Sequence, residues 1–246
     1  MNLDGKKIVI TGGATGIGRA TAVHCASEGA RVVVADVNRR DAEDCVAQIR
    51  SGGGEAWFLQ ADVSSESEVQ SLMAEAERLL GGIDVLVTAA GIARDALVPV
   101  DELLTEGWDR TISVNLKGAF LSAKHAVPAL RRAGGGVIVL IASGAGVKGG
   151  SSMVAYGASK GGVNGLGMTL EARLAPDNIR VNVLCPGGIT TPLKLYNIEE
   201  QARARGDAYR QEEQIALLGD PEGVARVLGF LVSDAADYVR GAIFTR

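Results

Sequence analysis

The feature that most limits the fold is a recurring kind of apolar run. "KKIVITG" (6–12), "RVVVAD" (31–36), "AWFLQAD" (56–62), "IDVLVTAAG" (83–91), "GGVIVLIAS" (135–143) and "IRVNVLCPGG" (179–188) are apolar throughout rather than alternating. Strands read this way when helices cover both faces of a parallel sheet. The intervening segments have helical character. Residues 16–29 run to Gly29, and 39–51 run out in "SGGGE". A third helix opens at a Ser65/Glu68 capping box and stops at Gly81-Gly82, its apolar face made by Val69, Leu72, Met73, Ala76, Leu79 and Leu80. Residues of about 101–132 read as mostly helix, Asp220-Pro221 starts another, and "GAIFT" is a last short strand. This βαβ rhythm predicts an α/β chain, 1–246 as one Rossmann-like domain, with a doubly wound parallel sheet and helices on both faces. Aromatics make up only 4% of the chain, so the core must come from Val, Ile, Leu and Ala.

Charge and cysteine usage exclude several functions. The net charge of −4 is scattered, which argues against nucleic acid and membrane surfaces as partners. The longest apolar runs are too short and glycine-rich to span a bilayer. Cys25, Cys45 and Cys185 lie far apart, and His24 and His125 are the only histidines, so no metal-ligand pattern exists. Free thiols and a polar start leading straight into a strand predict a cytoplasmic protein without a signal peptide.

One segment breaks the rhythm. Residues 191–214, "TPLKLYNIEEQARARGDAYRQEEQ", are charged and weakly periodic. They follow a strand's carboxyl end, where a substrate lid would sit.

Three clusters carry chemistry. "TGGATGIG" (11–18) places Gly12, Gly16 and Gly18 after the first strand, so that the next helix aims its first N–H groups at a phosphate. Thr15, just before Gly16, offers no cation. Asp36 ends the second strand 20 residues after Gly16, where a carboxylate accepts both ribose hydroxyls and repels a 2′-phosphate. That favours NAD over NADP, although Arg39 and Arg40 lie just beyond. Asp62 and Val63 end the third strand, in position to edge an adenine.

The third cluster is "VAYGASKGGVNGLG" (154–167). Tyr156 and Lys160 share a helix face at i, i+4. A nearby ammonium lowers a phenol's pKa from about 10, which makes tyrosine a usable general base. Ser143 ends a strand 13 residues earlier, at the crevice edge, and can orient a substrate oxygen. Gly157, Gly161 and Gly165 make a smooth face for close backbone packing, which offsets the cost of glycine in a helix.

With these residues in hand, the chain resembles the short-chain dehydrogenases/reductases from Lys6 to about Phe244. The matching pieces are "TGGATGIG", "AAG" (89–91), "SVNLKG" (113–118), "IAS" (141–143), "YGASK" (156–160), "PGGITTP" (186–192) and "FLVSDAADYVRG" (230–241). The resemblance implies that Ser143 polarises the substrate oxygen and Tyr156 exchanges its proton. It implies that Lys160 binds the nicotinamide ribose and tunes the tyrosine, and that Asn115 holds a water beyond Lys160. Gly12, Thr15, Gly16, Ile17 and Gly18 would wrap a pyrophosphate, and Asp36, Asp62 and Val63 would take the adenosine. Ala89, Ala90 and Gly91 would pass the ribose, and Pro186, Gly187, Ile189 and Thr191 would meet the nicotinamide end. A substrate pocket is expected from Ala93, Arg94, Ala145, Met153, Gly188, Leu193 and Tyr196. Similar proteins are homotetramers (or dimers) built on the helices at about 101–132 and 152–175.

The chain departs from the family pattern in two places. "TAAG" (88–91) replaces the usual Asn-Asn-Ala-Gly, which predicts fewer side-chain bonds in the central sheet. The usual Asp-Gly-Gly near the end is missing, so tetramer contacts through the tail are in question. The expected activity is NAD(H)-dependent exchange of a secondary alcohol and a ketone. One alternative is a 3-oxoacyl-acyl-carrier-protein (thioester) reductase, to which "GIARDALV" (91–98) is similar, with Lys194, Arg203, Arg205 and Arg210 as a docking face. A non-catalytic NAD-binding regulator is the other; an intact Asn115, Ser143, Tyr156 and Lys160 argues against it.

Overall fold

The computed structural model describes residues 2–205 and 209–245, with the side chains of 204, 205, 209 and 210 outside the description. Seven strands form one sheet: β1 (Lys7–Thr11), β2 (Arg31–Asp36), β3 (Glu55–Gln60), β4 (Val85–Thr88), β5 (Gly136–Ile141), β6 (Ile179–Cys185) and β7 (Gly241–Phe244). Their order is β3-β2-β1-β4-β5-β6-β7, and every pairing is parallel. The order reverses between β1 and β4, which opens a crevice at the strands' carboxyl ends. The predicted doubly wound sheet is therefore present.

The central strands are buried on both faces, so each face needs its own helical cover. On one side Ile8, Ile10, Val32 and Val34 join Ala22 and Cys25 of α1 (Gly16–Ser27), Ala42 and Ile49 of α2 (Arg39–Ser51) and Leu228 of α9 (Pro221–Val232). On the other side Val9, Leu86 and Leu140 join Leu72 of α3 (Glu66–Leu80), Leu130 of α5 (Gly118–Arg132) and Val163 of α6 (Val154–Leu174). Burying each Val, Leu or Ile side chain contributes about 1.5–3 kcal/mol before chain entropy is counted.

Helix ends follow the sequence with one correction. Asp220 accepts the Gly223 N–H at the start of α9, and Gly81 closes α3 at φ +70°. The capping box is absent. Ser65 occupies the N-cap of α3, but its side chain caps nothing. The chain turns at Asp62, whose carbonyl takes the Ser65 N–H, so Glu68 reaches back to the Asp62 N–H instead, at 2.9 Å.

The stretch read as mostly helix over 101–132 is helical from Thr105 onward, with a π turn inside it. It contains a short 3-10 turn (Val100–Glu102), α4 (Thr105–Ile112), a π-helical turn (Ser113–Lys117) and α5. Single π turns inside helices commonly accompany functional sites, and this one carries Asn115. After β6 the chain makes its excursion through α7 (Pro192–Arg205) and α8 (Tyr209–Ala216). Its base is pinned by pairing of Ile189 with Gly219.

Candidate active site

A cavity of about 630 Å³ lies along the carboxyl ends of the strands. Its floor starts at the glycine turn. Gly12 has φ +72°, and a Cβ there would come within 2.3 Å of the Ala90 nitrogen. A Cβ on Gly18 would sit 2.0 Å from the Gly12 carbonyl oxygen. These two glycines let the turn fold tightly on itself and on the end of β4. Gly16 opens α1 at φ +54° and faces Thr191, which lies at the start of the excursion. Thr15 at the N-cap makes no side-chain cap, so the first N–H groups of α1 are free for an anion.

At one end stands Asp36. Its two oxygens accept the Ala14 and Asn38 amides, each at 3.0 Å. This fixes the carboxylate and leaves a lone pair on each oxygen for a vicinal diol. Arg39 is drawn away to Glu43 at 3.0 Å and Gln60 at 2.8 Å. Asp62 bonds Ser64 and pairs with Arg110 at 3.3 Å, and its carboxyl is held below the usual range: Ser64 and Arg110 together outweigh burial, the largest single influence.

The other end holds Ser143, Tyr156 and Lys160. All three side chains line the cavity. Burial raises the Tyr156 phenol above its ordinary value, and the Ser143 hydroxyl opposes this. Lys160 donates to the Ile141 carbonyl at 2.8 Å, and its Nζ lies 5.7 Å from the centre of the Tyr156 ring. Burial pushes this ammonium down to about 8. The expectation that Lys160 depresses the phenol is thus met only in part in the free chain. The ammonium sits over the ring, but Ser143 is what lowers the tyrosine.

Asn115 lies behind them, not on the cavity wall. Its Nδ2 donates to the Ile92 carbonyl and to Ser159 Oγ, and its Oδ1 accepts the Ile92 N–H. Ser159 in turn donates to the Tyr156 carbonyl at 2.7 Å. Gly91 lies beside both Asn115 and Lys160: a Cβ there would be 3.4 Å from Asn115 Oδ1 and 3.6 Å from Lys160 Nζ.

The helical glycines have separate duties. A Cβ on Gly161 would stand 2.8 Å from the Gly146 carbonyl, and one on Gly146 would stand 2.0 Å from that of Gly157. The loop after β5 thus lies directly on α6 and carries Ala145 beside Ser143. Gly162 and Gly167 make room for Leu116 and Val183, while Gly165 faces open space.

The cavity wall gathers Ile17, Val63, Ala89, Pro186, Gly187 and Ile189 with the residues already named. Ala145, Met153, Gly188 and Leu193 line it as well. Arg94 and Tyr196 are exposed, Tyr196 at 52%, and Ala93 is buried; none of the three lines the cavity. Of the four basic residues considered for docking, Lys194 lines the cavity and Arg203 pairs with Glu199 and Glu200. The side chains of Arg205 and Arg210 lie outside the described residues.

Sequence reasoning missed Arg110, Ser159 and the α7 pair Asn197 and Gln201. Ser159 stands inside "YGASK", three residues after Tyr156, and could have been found there. Arg110 and Asn197 reach the cavity only through tertiary packing. Among the described residues, no cluster could hold a metal ion and no helix is long and apolar enough to cross a membrane.

The glycine turn, the free helix terminus, the clamped Asp36 and the elongated crevice suit a dinucleotide. Similarity to known proteins points the same way. Residues 6–202 match the family described as short chain dehydrogenase. The cis-4-hydroxycyclohexanecarboxylate dehydrogenase of Sinomonas cyclohexanicum is 40% identical over 96% of this chain and 92% of its own. The 3-oxoacyl-acyl-carrier-protein reductase of Thermotoga maritima is 37% identical over 99% of this chain and 96% of its own. The crystal structure of levodione reductase superposes with a TM-score of 0.91 at 31% identity, covering 98% of this chain and 95% of that one. With this match and the Ser143, Tyr156 and Lys160 site in place, the chain belongs to the short-chain dehydrogenase/reductase family and is an oxidoreductase.

Proposed function

We propose that this enzyme interconverts a secondary alcohol and a ketone with NAD(H), using Tyr156 as general acid and base. The observation that carries this is the gathering of Ser143, Tyr156 and Lys160 on one wall of the cavity, with the Lys160 ammonium over the tyrosine ring. Ser143 holds the substrate oxygen beside the phenol. Tyr156 removes the alcohol proton during oxidation and returns it during reduction. Lys160 steadies the phenolate, and Asn115 with Ser159 fixes the helix that bears both. The nicotinamide, when bound, accepts or donates the hydride. Gly12, Gly16 and the first turn of α1 would hold its pyrophosphate.

Asp36 supports NAD over NADP, since its fixed carboxylate accepts ribose hydroxyls and repels a 2′-phosphate. Arg39, tied to Glu43 and Gln60, gives no counter-argument. The same reading extends to a cytoplasmic homotetramer of single-domain chains, each with residues 191–214 as a lid. Exposed Trp108, Phe120 and Met168 on α4 to α6 support contact there.

Calorimetric titration of NADH and NADPH into wild type and Asp36→Ala tests the cofactor. Preference for NADH, lost in the variant, is expected; preference for NADPH in wild type overturns it. Tyr156→Phe should keep NADH binding and lose about 100-fold or more in turnover. A Tyr156→Phe variant that binds NADH and loses no cellular activity would instead favour a cofactor-binding regulator. Faster turnover of an acyl-carrier thioester than of any simple alcohol would favour the thioester reductase.

A further inference from the structure

The lid end of the cavity is rich in hydrogen-bond donors and poor in acceptors. Asn197 on α7 is only 4% exposed. Its Nδ2 faces Met153 Sδ at 3.2 Å, and its Oδ1 is already taken by Gln201 Nε2 at 2.7 Å. A thioether is a weak acceptor, so a buried amide is left almost unsatisfied. Lys194, one turn earlier on α7, lines the same cavity and makes no ion pair among the described residues. The carboxylates on the cavity wall, Asp36 and Asp62, are committed elsewhere. Asp36 holds two backbone amides, and Asp62 pairs with Arg110. An ammonium without an ion-pair partner and a poorly satisfied amide thus line the same cavity, whose wall carboxylates among the described residues are both committed.

We propose that Lys194 and Asn197 form a carboxylate subsite, so that the alcohol handled by Tyr156 is a hydroxy acid. This rests on the alcohol–ketone reading above. Met153, against which Asn197 packs, is the N-cap of α6 and stands three residues before Tyr156. Met153 and Tyr156 line the cavity together with Lys194 and Asn197, so a carboxylate held by this pair shares the cavity with the reacting hydroxyl. The shared chemistry is an oxyanion, and the dinucleotide's pyrophosphate is its other source. Thr191 and Pro192, not Asn197, face Gly16 in the phosphate turn. The Asn197 amide therefore meets the start of the helix that bears Tyr156 and not the phosphate turn.

The test is binding without turnover. 4-Hydroxycyclohexanecarboxylate and its methyl ester are titrated calorimetrically into enzyme saturated with NADH and, in parallel, NADPH. Wild type, Lys194→Gln and Lys194→Arg are compared. Wild type should bind the acid about tenfold or more tightly than the ester, as charge-assisted hydrogen bonds do. Lys194→Gln should erase that ratio and Lys194→Arg should keep most of it. Equal binding of acid and ester by wild type overturns the subsite. So does a Lys194→Gln enzyme that loses dinucleotide affinity but keeps the ratio, because the ammonium then serves the pyrophosphate. If the acid binds in a Lys194-dependent way but is never oxidised with NAD or NADP, the subsite stands and the alcohol–ketone reading fails.

Discussion

Asn115 grips Ile92 from both sides: its Oδ1 accepts the Ile92 N–H at 2.8 Å, and its Nδ2 donates to the Ile92 carbonyl at 2.9 Å. Ile92 lies four residues past the end of β4, so this clamp ties the π turn to the loop that leaves the central strand. Asn115 is 1% exposed. Asn115→Ala would strand a buried donor and a buried acceptor, each costing about 1–3 kcal/mol. Urea denaturation should show a loss of at least about 2 kcal/mol. Turnover should fall as well, since Asn115 also holds Ser159, which bonds the Tyr156 carbonyl. Asn115→Asp, which retains the acceptor, should lose less stability than Asn115→Ala.

Thr11 and Thr88 stand opposite each other in the pairing of β1 with β4, and neither hydroxyl has a partner. This is the outcome expected of "TAAG", where the usual side-chain amide is missing. A buried hydroxyl without a bond carries its desolvation cost for nothing. Thr88→Val keeps the shape and removes that cost, so it should raise stability by about 1 kcal/mol and leave turnover unchanged. The thermal midpoint measures the first, steady-state kinetics the second. A drop in midpoint would mean the hydroxyl is satisfied after all.

These cases show what a sequence can reveal. The β1 turn, Asp36 and Tyr156 are legible because backbone geometry ties their chemistry to fixed spacings along the chain. The glycines of α6 could be sensed as a packing face, but not assigned. Gly161 and Gly162 serve different neighbours one residue apart. The π turn was invisible, because one extra residue in a helical turn leaves the apolar pattern almost intact. Glu68 and Asn197 escaped for a related reason. Glu68 takes the Asp62 amide six residues back in place of the Ser65 amide that the capping rule assigns it, and Asn197 keeps its local partner Gln201 but also meets Met153, which only tertiary packing brings near.

The Ser143 hydroxyl is the group that lowers the Tyr156 phenol against the raising effect of burial. Ser143→Ala removes it, so the phenol should ionise at still higher pH. Ultraviolet difference titration against Tyr156→Phe would isolate this one tyrosine in the free enzyme. The expected result is an upward displacement of its midpoint in Ser143→Ala. A downward displacement would mean that Ser143 favours the neutral phenol. In oxidation the active form is the phenolate, so the alkaline rise in turnover should move the same way.

Lys160 gives a stability prediction with a definite sign. Burial holds its folded pKa at about 8, against about 10.4 for a free lysine. Below about pH 8 the ammonium is charged in both states, and the folded chain bears the full desolvation penalty. Between about 8 and 10.4 the unfolded chain binds more protons, so this group's contribution to stability rises with pH. Other groups oppose it: Cys25 and Cys45, with thiols pushed up by burial to about 12 and about 11, make the fold less stable over the same alkaline range. The comparison must therefore be with Lys160→Met, in which those thiols are unchanged. The stability of wild type minus that of Lys160→Met should increase by on the order of 2–3 kcal/mol from pH 8 to pH 10.5. Denaturant melts at several pH values in that window would measure it. A flat difference would mean that the ammonium is solvated in the free enzyme, and that its charge at neutral pH costs the fold nothing.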